Sequence, residues 1–463
     1  MSDATLTDLY EVTMALSYLQ EGMTEPATFS CFVRALPPER GFLVAAGAET
    51  VLDFLSGFAV GRDDVEVFAE ALQRPARDLA PLLGMRFTGE VRAVPEGRVV
   101  LAGEPLLEIT APLPQAQLVE SYVLNHLTHQ TTVASKCVRC VLAARGRSVV
   151  DFSLRRAPGT AAACQVARLG AMTGFAGTSN VAAAHAEDLT AVGTMAHSYI
   201  EAFGDEEAAF TAFALCHPGP VTLLVDTYAT ESGVAAAARV LNALGRGDGS
   251  AIRLDSGDLA ELAFRARAIL DNAGLPQVRI VASGGLDEFA VHDLAQARAP
   301  IDVFAVGTRV GVSADAPSLD SAYKLVAYDG RPVMKLSSAK ATAPGRKQVF
   351  RRPGCHDVIG LADEPVPPGS TPLLETLMRG GERGAPRGRT EDARRRVAAD
   401  LAELPAAARA IRSPQAVRAK VSKRLAVLTE HVRRRIEREA LGGVPASPAR
   451  SASRPLAPFG SHA

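Results

Sequence analysis

Three short apolar runs between residues 251 and 308 set the pattern for the whole chain. AIRLDSGD (251–258), VRIVASGG (278–285) and DVFAVGT (302–308) each carry a few mostly apolar residues and then stop on Asp, Ser, Gly or Thr. Between them, LAELAFRARAILDNAG (259–274) and LDEFAVHDLAQARAP (286–300) repeat their apolar residues at helical intervals. Strands alternating with helices predict βαβ units and a parallel sheet covered on both faces. Upstream, SVVDFSLRR (148–156), TGFAGTSN (173–180), LTAVGTMAHS (189–198) and VTLLVDTY (221–228) continue the series, giving about seven strand candidates. The simplest closure of such a set is an irregular TIM-like α/β barrel with its polar strand ends on one rim.

The flanking segments have other periods. Residues 1–22 form an amphipathic helix, and periodicity puts Tyr10 on its apolar, core side. Residues 27–36 are a strand, and 86–112 show β runs broken by Pro-Glu-Gly and Ala-Gly-Glu-Pro turns, an antiparallel meander. These define a second, β-rich α/β domain over 1–120. A late hairpin, YKLVAYDGRPVMKLS with Asp329–Gly330 at its turn, and the strand KQVFRR are expected to complete it over 321–375. The barrel then occupies 121–320. A helical segment follows over 376–441, with one helix at 390–411 interrupted at Pro405 and another at 414–441. Leu425, Val427, Leu428, Val432 and Ile436 would form the apolar stripe of the second. Residues 442–463 have the composition of a disordered tail.

Composition removes several classes of function. A chain of 463 residues with 47% hydrophobic and 22% charged residues can bury a large core in two or three domains. The absence of Trp and an aromatic content of 5% argue against base-stacking modules, so no nucleic acid is expected as a partner. The acidic start lacks a signal-peptide layout, and no stretch is apolar enough to span a membrane. Six scattered cysteines do not make a disulfide framework, which leaves a reducing cytoplasm as the expected location. From Arg379 onward, 19 Lys and Arg face 8 Asp and Glu, while the rest of the chain is acidic. That excess falls on the polar faces of the two late helices. His126-x-x-His129 and Cys137-x-x-Cys140 have metal-like spacing, but no second pair follows, and helix packing explains them better.

Candidate chemistry gathers at the strand ends, where ligands of parallel α/β folds bind. Gly284–Gly285 and Gly307–Thr308 let backbone N–H groups approach an anion, and two such sites suggest a phosphorylated sugar. His197 opens a helix, with Thr194 placed to cap it; its imidazole could serve as a general base or a phosphoryl acceptor, or only make a local hydrogen bond. Arg253 and Asp255 share one face of their strand, beside Ser256 and Asp258. Either they bind a carboxylate and ribose hydroxyls or they pair with each other; Asp226 and the Arg155–Arg156 pair favour binding.

Taken together, LTDLYEVTMA, DFSLRRA, FAGTSN, GTMAHS, VDTY, IRLDSGDL, ASGG and VGT resemble the nicotinate phosphoribosyltransferase family in order and spacing. The resemblance runs from about Leu6 to about Arg435; each motif alone is weak and the ordered set carries it. It implies ATP-coupled transfer of phosphoribosyl from 5-phosphoribosyl 1-diphosphate to nicotinate, with Mg²⁺, in a homodimer with shared active sites. By motif, His197 would be phosphorylated by ATP, and Asp226 and Asp255 would face the ribose and Mg²⁺. Thr194 and Arg253 would contact nicotinate, Tyr10 of a second subunit would border its ring, and Arg155 would hold the diphosphate or pyridine side. Gly284, Gly285, Gly307 and Thr308 would cradle the 5-phosphate. Ser179 stands where nicotinamide-using relatives carry an aspartate, which implies nicotinate as substrate; as an alternative, Ser179 only caps the next helix. The competing readings are a nicotinamide-using phosphoribosyltransferase, another phosphate-binding barrel enzyme, or a binding protein with a basic tail. An aldolase would want a strand-end lysine, and residues 150–308 contain no lysine.

Overall fold

In the computed structural model, residues 3–336, 342–439 and Gly442 are described. The expected tail, 442–463, lies outside the described residues apart from Gly442.

The predicted βαβ series forms one six-stranded parallel sheet. Its order is Gly177–Thr178, Ser148–Asp151, Val303–Val306, Arg279–Ala282, Ala251–Leu254, Thr222–Leu224. Alternation along each strand sorts the side chains. Val149, Leu223, Ile252, Leu254, Ile280, Phe304 and Val306 face the main core under the covering helices. Val150, Ala251, Val281 and Ala305 form a small cluster on the concave side.

The sheet is a half-barrel of six strands, and the eight paired strands of a TIM barrel are not present among the described residues. The seventh candidate, 189–198, contributes only a bridge between Ala191 and Thr178. Polar Thr190 and flexible Gly193 interrupt its apolar run. This stretch still spans the gap between the two edge strands. Thr178 N–H donates to Thr190 O and Val192 N–H to Thr178 O, while Thr194 Oγ1 donates to Thr222 O at 2.5 Å. The concave side is not filled as in a packed barrel. Small residues such as Ala251 leave a cavity of about 190 Å³, bordered by Val150, Phe152, Val192, Thr194, Arg253 and Val281.

The second domain is a seven-stranded sheet with its strands in the order Arg331–Pro332, Ser321–Tyr328, Pro26–Val33, Pro105–Pro112, Glu90–Ala93, Glu375–Arg379, Glu382–Arg383. Every pairing is antiparallel. The late hairpin therefore pairs directly with the strand Pro26–Val33, and its turn uses positive φ at both Asp329 and Gly330. Lys347–Arg351 instead enters a separate four-stranded sheet with Val358–Leu361, Thr371–Pro372 and Lys420–Val421. The segment expected to be helical from 376 thus begins as strands. Its helices are Thr390–Glu403, which stops short of Pro405, and Lys423–Glu439, with the 414–419 stretch irregular. In the latter helix Leu425 and Val432 are buried, but Val427 is 69% exposed.

The N-terminal helix, Leu9–Gln20, buries Glu11, Val12 and Ala15. Tyr10 is therefore not a core residue; it is 46% exposed, beside exposed Leu6 and Leu9. The His-x-x-His and Cys-x-x-Cys pairs lie on the 25-residue helix Glu120–Ala144, with both cysteines buried and free. Among the described residues no cluster of His, Cys, Asp or Glu is arranged to hold a metal by itself. No helix among them is long and apolar enough to cross a membrane.

The charge asymmetry has a structural outlet. Arg383 pairs with Glu49 and Asp53, Arg387 with Glu187, Arg412 with Asp293 and Arg424 with Asp363, so the basic C-terminal segment lies on the acidic body.

A buried ionic cluster joins the two domains. Lys136 pairs with Glu288 and, at 2.9 Å, with Asp315; Arg40 holds Asp315 at 3.0 Å and Arg139 holds Glu288 at 3.1 Å. Burial opposes ionisation of Asp315, but Arg40 and Lys136 bring its carboxyl down to about 2. Lys136→Met leaves these carboxylates short of one cation, and its expected cost is about 3 kcal/mol, read from urea unfolding of the full chain.

Candidate active site

The rim at the carboxyl ends of the parallel strands brings His197, Asp226, Arg253 and Asp255 together. Arg253 is the third residue of the strand Ala251–Leu254 and faces the cavity, its side chain only 11% exposed. A guanidinium held there needs partners. Nη2 donates to Asp255 Oδ1 at 2.5 Å and Nε to Ser283 Oγ at 2.8 Å. Nη1 makes a longer bond of 3.4 Å to Met195 O, and the group lies 5.5 Å from the centre of the Phe152 ring. Burial alone would raise the Asp255 carboxyl, but the Ser283 hydroxyl and the Arg253 charge hold it below the usual carboxylate range.

His197 is the first residue of the helix His197–Phe203 and is partly exposed to the rim. Its Nδ1 lies 3.1 Å from Thr227 Oγ1, and its Nε2 lies 3.9 Å from Asp255 Oδ2. The expected cap is not made. Ala196 occupies the N-cap position, and the Thr194 hydroxyl is used on Thr222 O. Thr194 therefore ties the gap-spanning segment to the edge strand. It stays beside Arg253 at the cavity wall.

Asp226 accepts from Asp255 N–H and from Ser256 Oγ through one oxygen, both at 2.8 Å. Its other oxygen is buried without a hydrogen-bond partner. That orphaned oxygen suits a cation completed by substrate oxygens and water. Asp258 is removed from the candidate chemistry, because its carboxylate caps the helix Leu259–Asn272 through Ala260 N–H and Glu261 N–H. Asp151 is likewise used internally, by Ser153 N–H and Thr178 Oγ1.

Gly284 sits with φ +92° pressed against Asp255; a Cβ there would lie 1.8 Å from Asp255 O. Gly285, at φ +69°, faces open space. Gly307 approaches Phe152 O, where a Cβ would meet it at 3.0 Å, and exposed Thr308 opens a short helix. Next to it, Arg309 pairs with Asp287 at 2.7 Å. These contacts place both glycine loops beside the Arg253–Asp255 strand end and the Phe152 loop.

Three candidates stand apart from this hydrogen-bonded cluster. Arg155 is exposed on the loop after Ser148–Asp151. Ser179 is half-buried, its N–H donating to Asp151 O, and it is not a cap; Asn180 fills that position and accepts from Ala183 N–H. Tyr10 borders an open groove with Asp8, Glu120, Ser121 and Asn125. Burial, then Glu120 and Glu11, push its hydroxyl pKa up. Phe152 and Ser283 were not singled out from sequence, whereas Thr227 stands out there as a polar strand-end residue beside Asp226. Period-two alternation from Val150 and Val281 would have pointed the first two inward.

Residues 5–128 match the family model described as the nicotinate phosphoribosyltransferase N-terminal domain, and 147–349 match that of the nicotinate phosphoribosyltransferase family. Nicotinate phosphoribosyltransferase pncB2 of Mycobacterium tuberculosis is 50% identical over 385 residues, 82% of each chain. The nicotinate phosphoribosyltransferase of Bacillus subtilis is 39% identical over 375 residues, covering 78% of this chain and 76% of its own. The crystal structure of human nicotinic acid phosphoribosyltransferase matches with a TM-score of 0.80 at 28% identity, over 92% of this chain and 99% of that one.

The two adjacent glycines separate sterics from backbone strain. Gly284→Ala is expected to displace the Asp255 backbone and lower the thermal midpoint by several degrees, whereas Gly285→Ala meets only the left-handed strain of about 1–2 kcal/mol. Parallel melting curves of the two variants check the order.

Proposed function

Because the chain belongs to the nicotinate phosphoribosyltransferase family, which serves NAD salvage, we propose that its half-barrel rim joins nicotinate to 5-phosphoribosyl 1-diphosphate and couples the step to ATP through His197. The observation that carries this reading is the Arg253–Asp255–His197 cluster. It sets a cation suited to a carboxylate within one side chain of a carboxylate-flanked imidazole.

In this reading the end of the Arg253 guanidinium takes the nicotinate carboxylate, with Thr194 beside it and Phe152 against the ring. The pyridine nitrogen forms the new bond to the anomeric carbon as the carbon–oxygen bond breaks and diphosphate leaves with the electron pair. Positive charge builds on the ribose, and the carboxylates of Asp226 and Asp255 are placed to stabilise it. The Gly284–Gly285 and Gly307–Thr308 loops hold the 5-phosphate, so that remote binding fixes the reacting carbon. Arg155, exposed on its loop, is free to meet the diphosphate. Asp226, with its unpartnered oxygen, would hold a Mg²⁺, which would neutralise charge on the leaving diphosphate. Ser179 brings no negative charge, which favours nicotinate over nicotinamide. The alternative substrate, nicotinamide, would leave the Arg253 fork without its carboxylate.

ATP enters through His197, whose imidazole nitrogen attacks the terminal phosphorus as ADP leaves. The phosphorylated ring adds charge beside the diphosphate site and links ATP hydrolysis to product formation. A homodimer completes the site in this proposal. The exposed Leu6, Leu9 and Tyr10 surface suits a subunit contact, and Tyr10 of one copy borders the ring bound in the other. The gap-spanning 190–194 segment lets the half-barrel work as an irregular barrel. A cytoplasmic location accords with the free cysteines.

Incubation with γ-labelled ATP is expected to give an acid-labile label that His197→Ala abolishes, together with ATP stimulation of mononucleotide formation. A label that survives His197→Ala removes the assigned role. Arg253→Ala is expected to lose about 1.5–3 kcal/mol of carboxylate binding, roughly 10- to 150-fold in KM for nicotinate, with a smaller change for the ribosyl donor. Steady-state kinetics in both substrates checks that split.

A further inference from the structure

Arg253, Ser283 and Asp255 form a closed ring of hydrogen bonds in which one oxygen serves two purposes. Ser283 Oγ accepts from Arg253 Nε at 2.8 Å, and its own proton goes to Asp255 Oδ1, with Leu254 O as a second acceptor at 3.2 Å. The same Asp255 oxygen receives Arg253 Nη2. The Nε–Nη2 side of the guanidinium is therefore occupied within the protein. Its Nη1–Nη2 end has only the 3.4 Å contact to Met195 O and remains available.

We infer that Ser283 is a positioning residue: it keeps the Arg253 fork turned toward the substrate carboxylate and holds Asp255 by a single oxygen, so that Oδ2 stays on the His197 side. This deepens the proposed function and rests on that assignment of Arg253. Ser283 and Asp255 compete for the same side of the guanidinium. A carboxylate next to an arginine takes two parallel N–H groups when nothing prevents it. Ser283, 3% exposed, occupies one of the two places. Asp255 is thereby limited to Nη2, and its Oδ2 lies 3.9 Å from His197 Nε2. Without the hydroxyl, Asp255 can rotate into a bidentate pair that neutralises Arg253 and draws the carboxylate away from the imidazole. The hydroxyl also stabilises the charged carboxylate, adding to the Arg253 charge against the effect of burial.

The test compares Ser283→Ala and Ser283→Thr with the unaltered full-length enzyme. Nicotinate and 5-phosphoribosyl 1-diphosphate are varied separately in steady-state kinetics. Ser283→Ala is expected to raise KM for nicotinate by roughly tenfold, about the worth of one hydrogen bond to a charged group. The KM for the ribosyl donor stays within about twofold. Ser283→Thr, which keeps the hydroxyl, restores the nicotinate KM. An unchanged nicotinate KM in Ser283→Ala overturns the inference, as does an equal rise in both KM values. So does a folded Ser283→Thr enzyme that behaves like Ser283→Ala. If the unaltered enzyme makes no mononucleotide from nicotinate, it is the proposed function that fails; if it does and Ser283→Ala matches it, only the role of Ser283 is lost.

Discussion

A guanidinium facing the hollow of a half-barrel has to be neutralised and hydrogen-bonded where it stands, and much of the rim follows from that demand on Arg253. Asp255 supplies the charge from the same strand, Ser283 the acceptor from the neighbouring strand end, and Met195 a carbonyl from the approach to His197. Three separate chain segments are therefore brought into register by one side chain. Asp226 extends the arrangement by accepting the Asp255 N–H. Small residues below, such as Ala251, keep the space in front of the guanidinium open.

The outline of the rim was legible in the sequence because parallel strands are short and their ends are abrupt. An apolar run that stops on Asp or Ser-Gly-Gly fixes both the strand and the place where its polar residues emerge. What each polar residue does there was less legible. Asp258 looks like a site residue by position, yet its carboxylate is used by two helix N–H groups; Thr194 looks like a cap, yet its hydroxyl holds a strand edge across the gap. Such choices depend on partners distant in sequence. Tyr10 shows the same limit in a helix. Periodicity put it inward, but the buried face is centred on Glu11 and Val12, and Thr7 and Ser121 satisfy the Glu11 carboxylate there. A buried acid shifts the apparent polarity of a helix face, and no pattern of apolar spacing reports it.

Charge balance likewise became intelligible only in three dimensions. The basic excess beyond Arg379 resembles a nucleic-acid patch in one dimension. In the fold Arg383, Arg387, Arg412 and Arg424 sit opposite carboxylates of the preceding body. Each exposed pair is worth at most about 1 kcal/mol, so their joint effect is to select where the segment lies more than to stabilise it.

The antiparallel sheet has a consequence for the order of events during synthesis. Its strand Pro26–Val33 is flanked by Pro105–Pro112, made early, and Ser321–Tyr328, made some three hundred residues later. The parallel strands, by contrast, are contiguous between Ser148 and Val306. A nascent chain leaving the ribosome can therefore assemble the parallel half while the antiparallel sheet still waits with an open edge. That edge is exposed to wrong pairing until translation passes residue 328.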